Sequence, residues 1–169
     1  ALLAFPSEEG KFAPIPGSSE CSNCPGGTFS FKRASHCPLC YPGQFSLPGS
    51  GSCSDCPPGR AQPTAGSTFC LNCTLGTAAN AYRSATCTPC AGGSFANVTE
   101  ATFCFKCVPG YFSRDGTSPS ACVQCQAGRF STTAAQSVCK ACSPGSYSAQ
   151  GATECTLCSA GHAQSQAAS

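Results

Sequence analysis

Pairs of thiols two residues apart run through the whole of this chain. Nine C-x-x-C doublets are present: Cys21/Cys24, Cys37/Cys40, Cys53/Cys56, Cys70/Cys73, Cys87/Cys90, Cys104/Cys107, Cys122/Cys125, Cys139/Cys142 and Cys155/Cys158. Such a pair serves as disulfide halves, as zinc ligands, as a redox couple or, before a histidine, as a haem attachment point. No doublet is followed by histidine, which removes haem. A thioredoxin-like couple is one activated doublet in a βαβ setting, unlike nine equivalent ones. The C-x2-C-x12–14-C-x2-C pattern falls just short of four-cysteine zinc spacing, and an odd number of doublets strands one. Disulfides remain, with no metal, no cofactor and no redox chemistry expected.

Spacing alone leaves two periodic pairings open. In one, the second cysteine of a doublet bonds the first of the next: Cys24–Cys37, Cys40–Cys53, Cys56–Cys70, Cys73–Cys87, Cys90–Cys104, Cys107–Cys122, Cys125–Cys139 and Cys142–Cys155. Cys21 and Cys158 are then left for bonds between chains or outside this segment. In the other, neighbouring doublets join first to first and second to second, which strands one whole doublet. The first treats every repeat alike and is favoured.

Composition asks for such staples. Leu, Ile, Val and Phe together make up about one residue in seven, too little apolar surface to offset the ordering entropy of an ordinary globule. Small secreted modules meet the same deficit with disulfides, each worth about 3 kcal/mol for a loop of ~15 residues in the chain-entropy model. The net charge is +2, and the basic residues are scattered, with Lys32–Arg33 the only adjacent pair. Nucleic acid and anionic membrane are therefore excluded as partners. No stretch approaches the ~20 apolar residues of a membrane span.

The elements that carry the cysteines follow from the repeat, whose period is 16 to 18 residues. A period this short signals a tandem array of small units. Glycine stands three residues after the second cysteine in all nine repeats, from Gly27 to Gly161, and proline often precedes it (Pro42, Pro58, Pro109, Pro144). Pro-Gly suits the centre of a type II turn. Two residues later comes an aromatic in most repeats (Phe29, Phe45, Phe95, Phe112, Phe130, Tyr147), usually followed by serine. A second turn then precedes the next cysteine, with glycine at Gly17, Gly49, Gly66 and Gly151. Each repeat thus reads as a minimal two-stranded hairpin with little helix anywhere. The rings are expected to stack on neighbouring disulfides; where the ring gives way to Ala61 or Ala78, Phe69 and Tyr82 are expected to substitute, with no substitute at Ala163.

The fold class is accordingly a rod of small disulfide-rich repeats. Residues 1–20 read as a degenerate repeat: Gly10 and Phe12 fit the template, and the missing doublet falls at Ala4 and Ser7. Residues 21–158 form the regular array, and residues 159–169 begin a further repeat that stops before its closing cysteine. The chain reads as cut from something longer, or as continued by another subunit.

Two N-x-S/T sequons mark Asn97 and Asn72 as candidates for N-linked glycans. Asn97 lies beyond the Phe95 strand, toward a polar turn, whereas a cysteine occupies the middle of the Asn72 sequon. Catalysis is not expected. His36 and His162 are the only histidines, Asp55 and Asp115 the only aspartates, and nothing pairs a nucleophile with a base.

The unit seen in Cys56-Pro57-Pro58-Gly59 and Cys142-Ser143-Pro144-Gly145-Ser146-Tyr147-Ser148 resembles the ephrin-receptor-like cysteine-rich repeat, a relative of tumour-necrosis-factor-receptor and EGF-like modules. The resemblance covers residues 10–169 and implies a disulfide-laddered ectodomain with the first pairing scheme. Receptor modules mix their cysteine spacings, whereas this chain keeps one. Long uniform runs of this kind resemble algal and protist surface glycoproteins, among them those of mastigonemes, the hairs of flagella. The function expected is an extracellular structural glycoprotein, secreted to a cell or flagellar surface, forming a rigid rod or filament segment. Self-association or other extracellular structural glycoproteins would be its partners. The alternative is the ectodomain stalk of a receptor or adhesion protein, with its closest candidate anchor at Arg114–Asp115.

Overall fold

The computed structural model describes residues 7–15, 18–114 and 121–159. Ala4, Gly17, Asp115, Gly161, His162 and Ala163 lie outside them. Within the described residues the chain is built from two-residue strands, sixteen in all, paired antiparallel as eight hairpins. In chain order these are β1 (Lys11–Phe12) with β2 (Ser22–Asn23), β3 (Gln44–Phe45) with β4 (Ser54–Asp55), and β5 (Arg60–Ala61) with β6 (Leu71–Asn72). There follow β7 (Thr77–Ala78) with β8 (Thr88–Pro89), β9 (Ser94–Phe95) with β10 (Phe105–Lys106), and β11 (Tyr111–Phe112) with β12 (Val123–Gln124). The last are β13 (Arg129–Phe130) with β14 (Lys140–Ala141) and β15 (Ser146–Tyr147) with β16 (Thr156–Leu157). The Cys24–Cys37 repeat has a single bridge, Thr28 to Leu39, in place of a strand pair. The described residues fall into two compact lobes, one from within 1–73 and 79–87 and the other from within 74–78 and 88–159.

Each hairpin opens on the turn that the glycine dictates. In Tyr41-Pro42-Gly43-Gln44 the Gln44 N–H donates to the Tyr41 carbonyl at 3.0 Å, and Gly43 has φ of 82°. That is a type II turn with proline at its second position and glycine at its third. The glycine then ties the hairpin shut, because its carbonyl accepts the N–H of the next doublet's second cysteine. Cys40 N–H to Gly27 at 2.9 Å and Cys56 N–H to Gly43 at 2.8 Å are examples, and the bond recurs from Cys24 to Cys158.

A two-residue ladder is far too small to stand alone, so the repeats hold one another. Every turn glycine from Gly10 to Gly128 donates its N–H to a carbonyl one repeat further on. Within the first lobe Gly27 reaches Ser46 at 2.9 Å and Gly43 reaches Gln62 at 2.7 Å; within the second Gly93 reaches Ser113 at 2.7 Å and Gly110 reaches Ser131 at 2.9 Å. A second tie comes from the turn before the next cysteine. There a left-handed residue four positions ahead of that cysteine donates its N–H to the carbonyl of a second cysteine one doublet further back than the preceding one. Gly49 to Cys24 and Gly66 to Cys40, both 2.9 Å, and Gly151 to Cys125 at 2.7 Å show the pattern. Where glycine is absent the conformation persists, with φ near 60° at Arg33, Arg83, Glu100 and Ala135.

The buried residues are not rings. Cys24, Cys40, Cys56 and Cys125 are fully buried, together with the serines that follow the aromatics, Ser30, Ser46, Ser113 and Ser131. These hydroxyls donate to main-chain carbonyls of the previous repeat: Ser30 to Lys11 at 2.8 Å, Ser46 to Thr28 at 2.8 Å, Ser113 to Ser94 at 3.1 Å. The ring-on-disulfide stack is therefore replaced by cysteine, serine and alanine. Phe45, Phe95, Phe112 and Phe130 are half-buried, and Tyr147 is exposed. Phe69 and Tyr82 are 60 % and 68 % exposed, so neither stands in for a missing ring; Ala61 and Ala78 are themselves buried and need none. The reason is the period of two along a strand: serine, next to the aromatic, takes the inward place and turns the ring out.

The turn glycine has a further neighbour. A Cβ added at Gly27 would overlap the Gly66 carbonyl, and one added at Gly93 would overlap that of Ala135, each two repeats further along the chain. Replacing Gly93 with alanine is expected to destabilise by about 2–4 kcal/mol, combining left-handed strain with a main-chain collision. Ala135→Gly should instead stabilise by up to about 1 kcal/mol, since the left-handed strain it removes outweighs the added freedom of the unfolded chain. Urea unfolding with the disulfides intact measures both.

Candidate functional site

In a protein of this kind the working part is the set of cross-links and the surface they hold. Sixteen cysteines are bridged between consecutive doublets: Cys24–Cys37, Cys40–Cys53, Cys56–Cys70, Cys73–Cys87, Cys90–Cys104, Cys107–Cys122, Cys125–Cys139 and Cys142–Cys155. Their Cα–Cα distances run from 5.5 Å for Cys73–Cys87 to 5.8 Å for Cys142–Cys155, in the ordinary range for an S–S bond. Each bridge closes a loop of 13 to 15 residues. The second cysteine of most doublets is buried, while the first lies nearer the surface, so each bond spans from the interior outward.

Cys21 and Cys158 are free and partly exposed. The reason for the first is legible in its neighbours. Ser7 accepts the Arg33 N–H at 2.9 Å, the bond that Cys24 accepts from Gly49 and Cys40 from Gly66. Ser7 thus holds the place of a doublet's second cysteine, fourteen residues before Cys21. Its side chain is buried, and its Oγ is the one buried side-chain oxygen or nitrogen among the described residues with no hydrogen-bond partner. A hydroxyl sits where the pattern calls for sulfur, and pays the desolvation of an unmet polar group.

The two sequons differ in setting. Asn72 lies in β6, exposed, but the next residue, Cys73, is buried and bridged to Cys87. Asn97 is exposed at the entry to the turn that carries Val98 and Glu100.

Two shallow grooves are present. One, of about 320 Å3, is lined by Phe112, Arg114, Val123, Gln124, Arg129 and Val138. Arg114 lies 6.0 Å over the Phe112 ring, Gln124 donates to the Tyr111 hydroxyl at 2.8 Å, and Arg129 reaches the Cys139 carbonyl at 3.4 Å. Its polar groups are thus spent within their own hairpins. The other, about 330 Å3, runs along Phe29, Phe31, Arg33 and His36. His36 has only the neighbouring Ser35 hydroxyl, at 3.4 Å.

Among the described residues no group of three or more His, Cys, Asp or Glu is placed to hold a metal, and no helix is long and apolar enough to cross a membrane. The architecture is one of tandem disulfide-bonded two-stranded hairpins, as in disulfide-rich repeat proteins generally. No family model matches the chain, and no curated protein does.

Sequence reasoning missed two kinds of residue, the buried serines and the left-handed positions at Arg33, Arg83, Glu100 and Ala135. The serines had left a signal in the recurrent aromatic-serine pair; the others left none, because arginine, glutamate and alanine do not announce a turn. Ser7→Cys is expected to close a further bridge to Cys21. Thiols titrated in the native protein should fall from two to one, with a gain of about 3 kcal/mol in the chain-entropy model. Three titrated thiols would contradict the equivalence.

Proposed function

We propose that this chain is an extracellular structural module, a segment of a rigid rod or filament in which sulfur cross-links stand in for an apolar core. The single observation that carries the reading is that sixteen cysteines are bridged in one repeating pattern, with the same main-chain ties between consecutive repeats. Disulfides at this density persist in oxidising compartments. Rigidity follows from the ties, because bending one repeat against the next breaks buried hydrogen bonds with no water at hand to replace them. The resemblance to ephrin-receptor-like repeats, and the uniform spacing typical of long algal and protist surface glycoproteins such as those of mastigonemes, support a place on a cell or flagellar surface. Its partners are then copies of itself or other structural glycoproteins.

Cys21 and Cys158 suit joining of successive chains head to tail. An oxidant of the secretory pathway, such as a protein disulfide relay, takes the two electrons and two protons as the S–S bond forms. Electron microscopy and non-reducing gels of native material test the proposal together. Thin filaments and a ladder of multimers that collapses on reduction are expected. A single monomer band removes the end-to-end bond, isolated stalks on membranes favour a receptor ectodomain, and reduced thiols among the sixteen bridged cysteines remove the proposal itself.

A further inference from the structure

The hairpin of β9 and β10 carries the largest cluster of aromatic rings among the described residues. Phe95 pairs in register with Phe105, their ring centroids 5.8 Å apart, and Phe103 meets Phe105 at 4.7 Å. Phe103 and Phe105 are 56 % and 43 % exposed. Three contiguous rings, two of them facing water, form an apolar patch that invites a cover.

The backbone says what lies near the rings. Ala96 is fully buried, in a small cluster with Ala78, Cys90 and Ala101, and Cys104 packs against the same cluster. On one arm Ala96 is buried while Phe95 is half-buried and Asn97 exposed; on the other Cys104 packs inward while Phe103 and Phe105 are exposed. Asn97 follows Phe95 by two residues and Phe103 precedes Phe105 by two, on the two arms of the loop that joins β9 to β10. Asn97 opens the sequon Asn97-Val98-Thr99, and all three residues are exposed. The sequon and the ring cluster therefore lie on one hairpin, with the sequon exposed two residues beyond Phe95. Asn72 has no such platform, and its sequon is locked into a bridge at Cys73.

We infer that Asn97 carries an N-linked glycan whose first sugar lies on the Phe95–Phe105–Phe103 platform. A pyranose presents an apolar face of polarised C–H bonds, and an aromatic ring presents the negative face of its quadrupole, so the two stack in water. In the attachment step the Asn97 carboxamide nitrogen bonds to the anomeric carbon of a lipid-diphosphate oligosaccharide. The bond from that carbon to the diphosphate oxygen breaks, the lipid diphosphate leaves, and the nitrogen gives up one proton. The inference rests on the extracellular reading, since this donor is met in the secretory pathway.

The test expresses the full chain through a eukaryotic secretory pathway, as wild type, Thr99→Ala and Phe103→Ala. Thr99→Ala removes the acceptor, and Phe103→Ala removes an exposed ring while leaving the sequon and strand pair alone. Peptide mass spectrometry reads occupancy at Asn97 and disulfide pairing in the same sample. Wild type is expected to be occupied, to melt about 2–4 °C above Thr99→Ala, and to show ring-current upfield shifts of the first sugar's protons. In Phe103→Ala those shifts should shrink, and enzymatic removal of the glycan should cost about 1 °C or less, against the larger drop in wild type. A bare Asn97 in a fully bridged protein overturns the glycan and leaves the scaffold reading standing; so does a dimer formed through the bare rings. An occupied Asn97 without the proton shifts overturns the stacking. Reduced thiols among the sixteen bridged cysteines overturn the extracellular reading and the glycan with it.

Discussion

The turn glycine carries three obligations at once. Its φ lies near +80°, a conformation that L side chains rarely adopt. Its N–H and C=O are both committed, one to the next repeat and one to the cysteine that closes its own hairpin. Its α-carbon, at Gly10, Gly27, Gly43, Gly93 and Gly110, lies against a carbonyl two repeats away, in an arrangement suited to a Cα–H···O=C contact. Gly145 has nothing within 4 Å, and there only the backbone angle demands glycine. The left-handed residue of the second turn shares the φ but not the main-chain collision; a Cβ added at Gly66 would press on the end of the Leu39 side chain at 2.8 Å. Gly49 and Gly151 face only the ends of Asn23 and Gln124 side chains, at 3.9 Å and 3.7 Å. That difference explains why glycine fills every first turn while arginine, glutamate and alanine enter the second.

With neighbours this close, no ring fits between repeats, and the interior shrinks to cysteine, serine and alanine. Apolar burial per repeat is then small, and the disulfide supplies what it lacks by limiting the unfolded chain. The buried serines are acceptable because each hydroxyl finds a carbonyl of the previous repeat, which turns a desolvation cost into a tie. Ser7 shows the same interior with the tie missing: its carbonyl is bonded, its hydroxyl is not.

The hairpin architecture was legible in the sequence because the cysteine period, the Pro-Gly turns and the scarcity of aliphatic residues point to one answer. Pairing was less so, since even spacing suits both schemes; what separates them is the turn, which brings each second cysteine back beside the following doublet. The rings were misplaced for a related reason. An aromatic every repeat invites a packing role, yet on a two-residue strand only one side chain faces inward, and the adjacent serine holds that place. At Phe29–Phe31 and Phe95–Phe105–Phe103 the rings instead meet one another at the surface.

Chemistry at a concave site requires depth, and depth requires a core that can be hollowed without collapse. Here the interior of each repeat is a disulfide and a few main-chain hydrogen bonds, so nothing can be carved out without cutting what holds the hairpin. The grooves at Phe112 and Phe29 stay shallow for that reason, and their polar groups remain tied within their own hairpins or, like His36, lie at the surface. The outward side chains carry no such duty: Leu39, Tyr41, Leu47, Phe69, Tyr82 and Leu157 differ from repeat to repeat and are all exposed. A chain that fixes its backbone so strictly while leaving its surface so free can change what it touches without changing how it folds, which suits a scaffold and works against a catalyst.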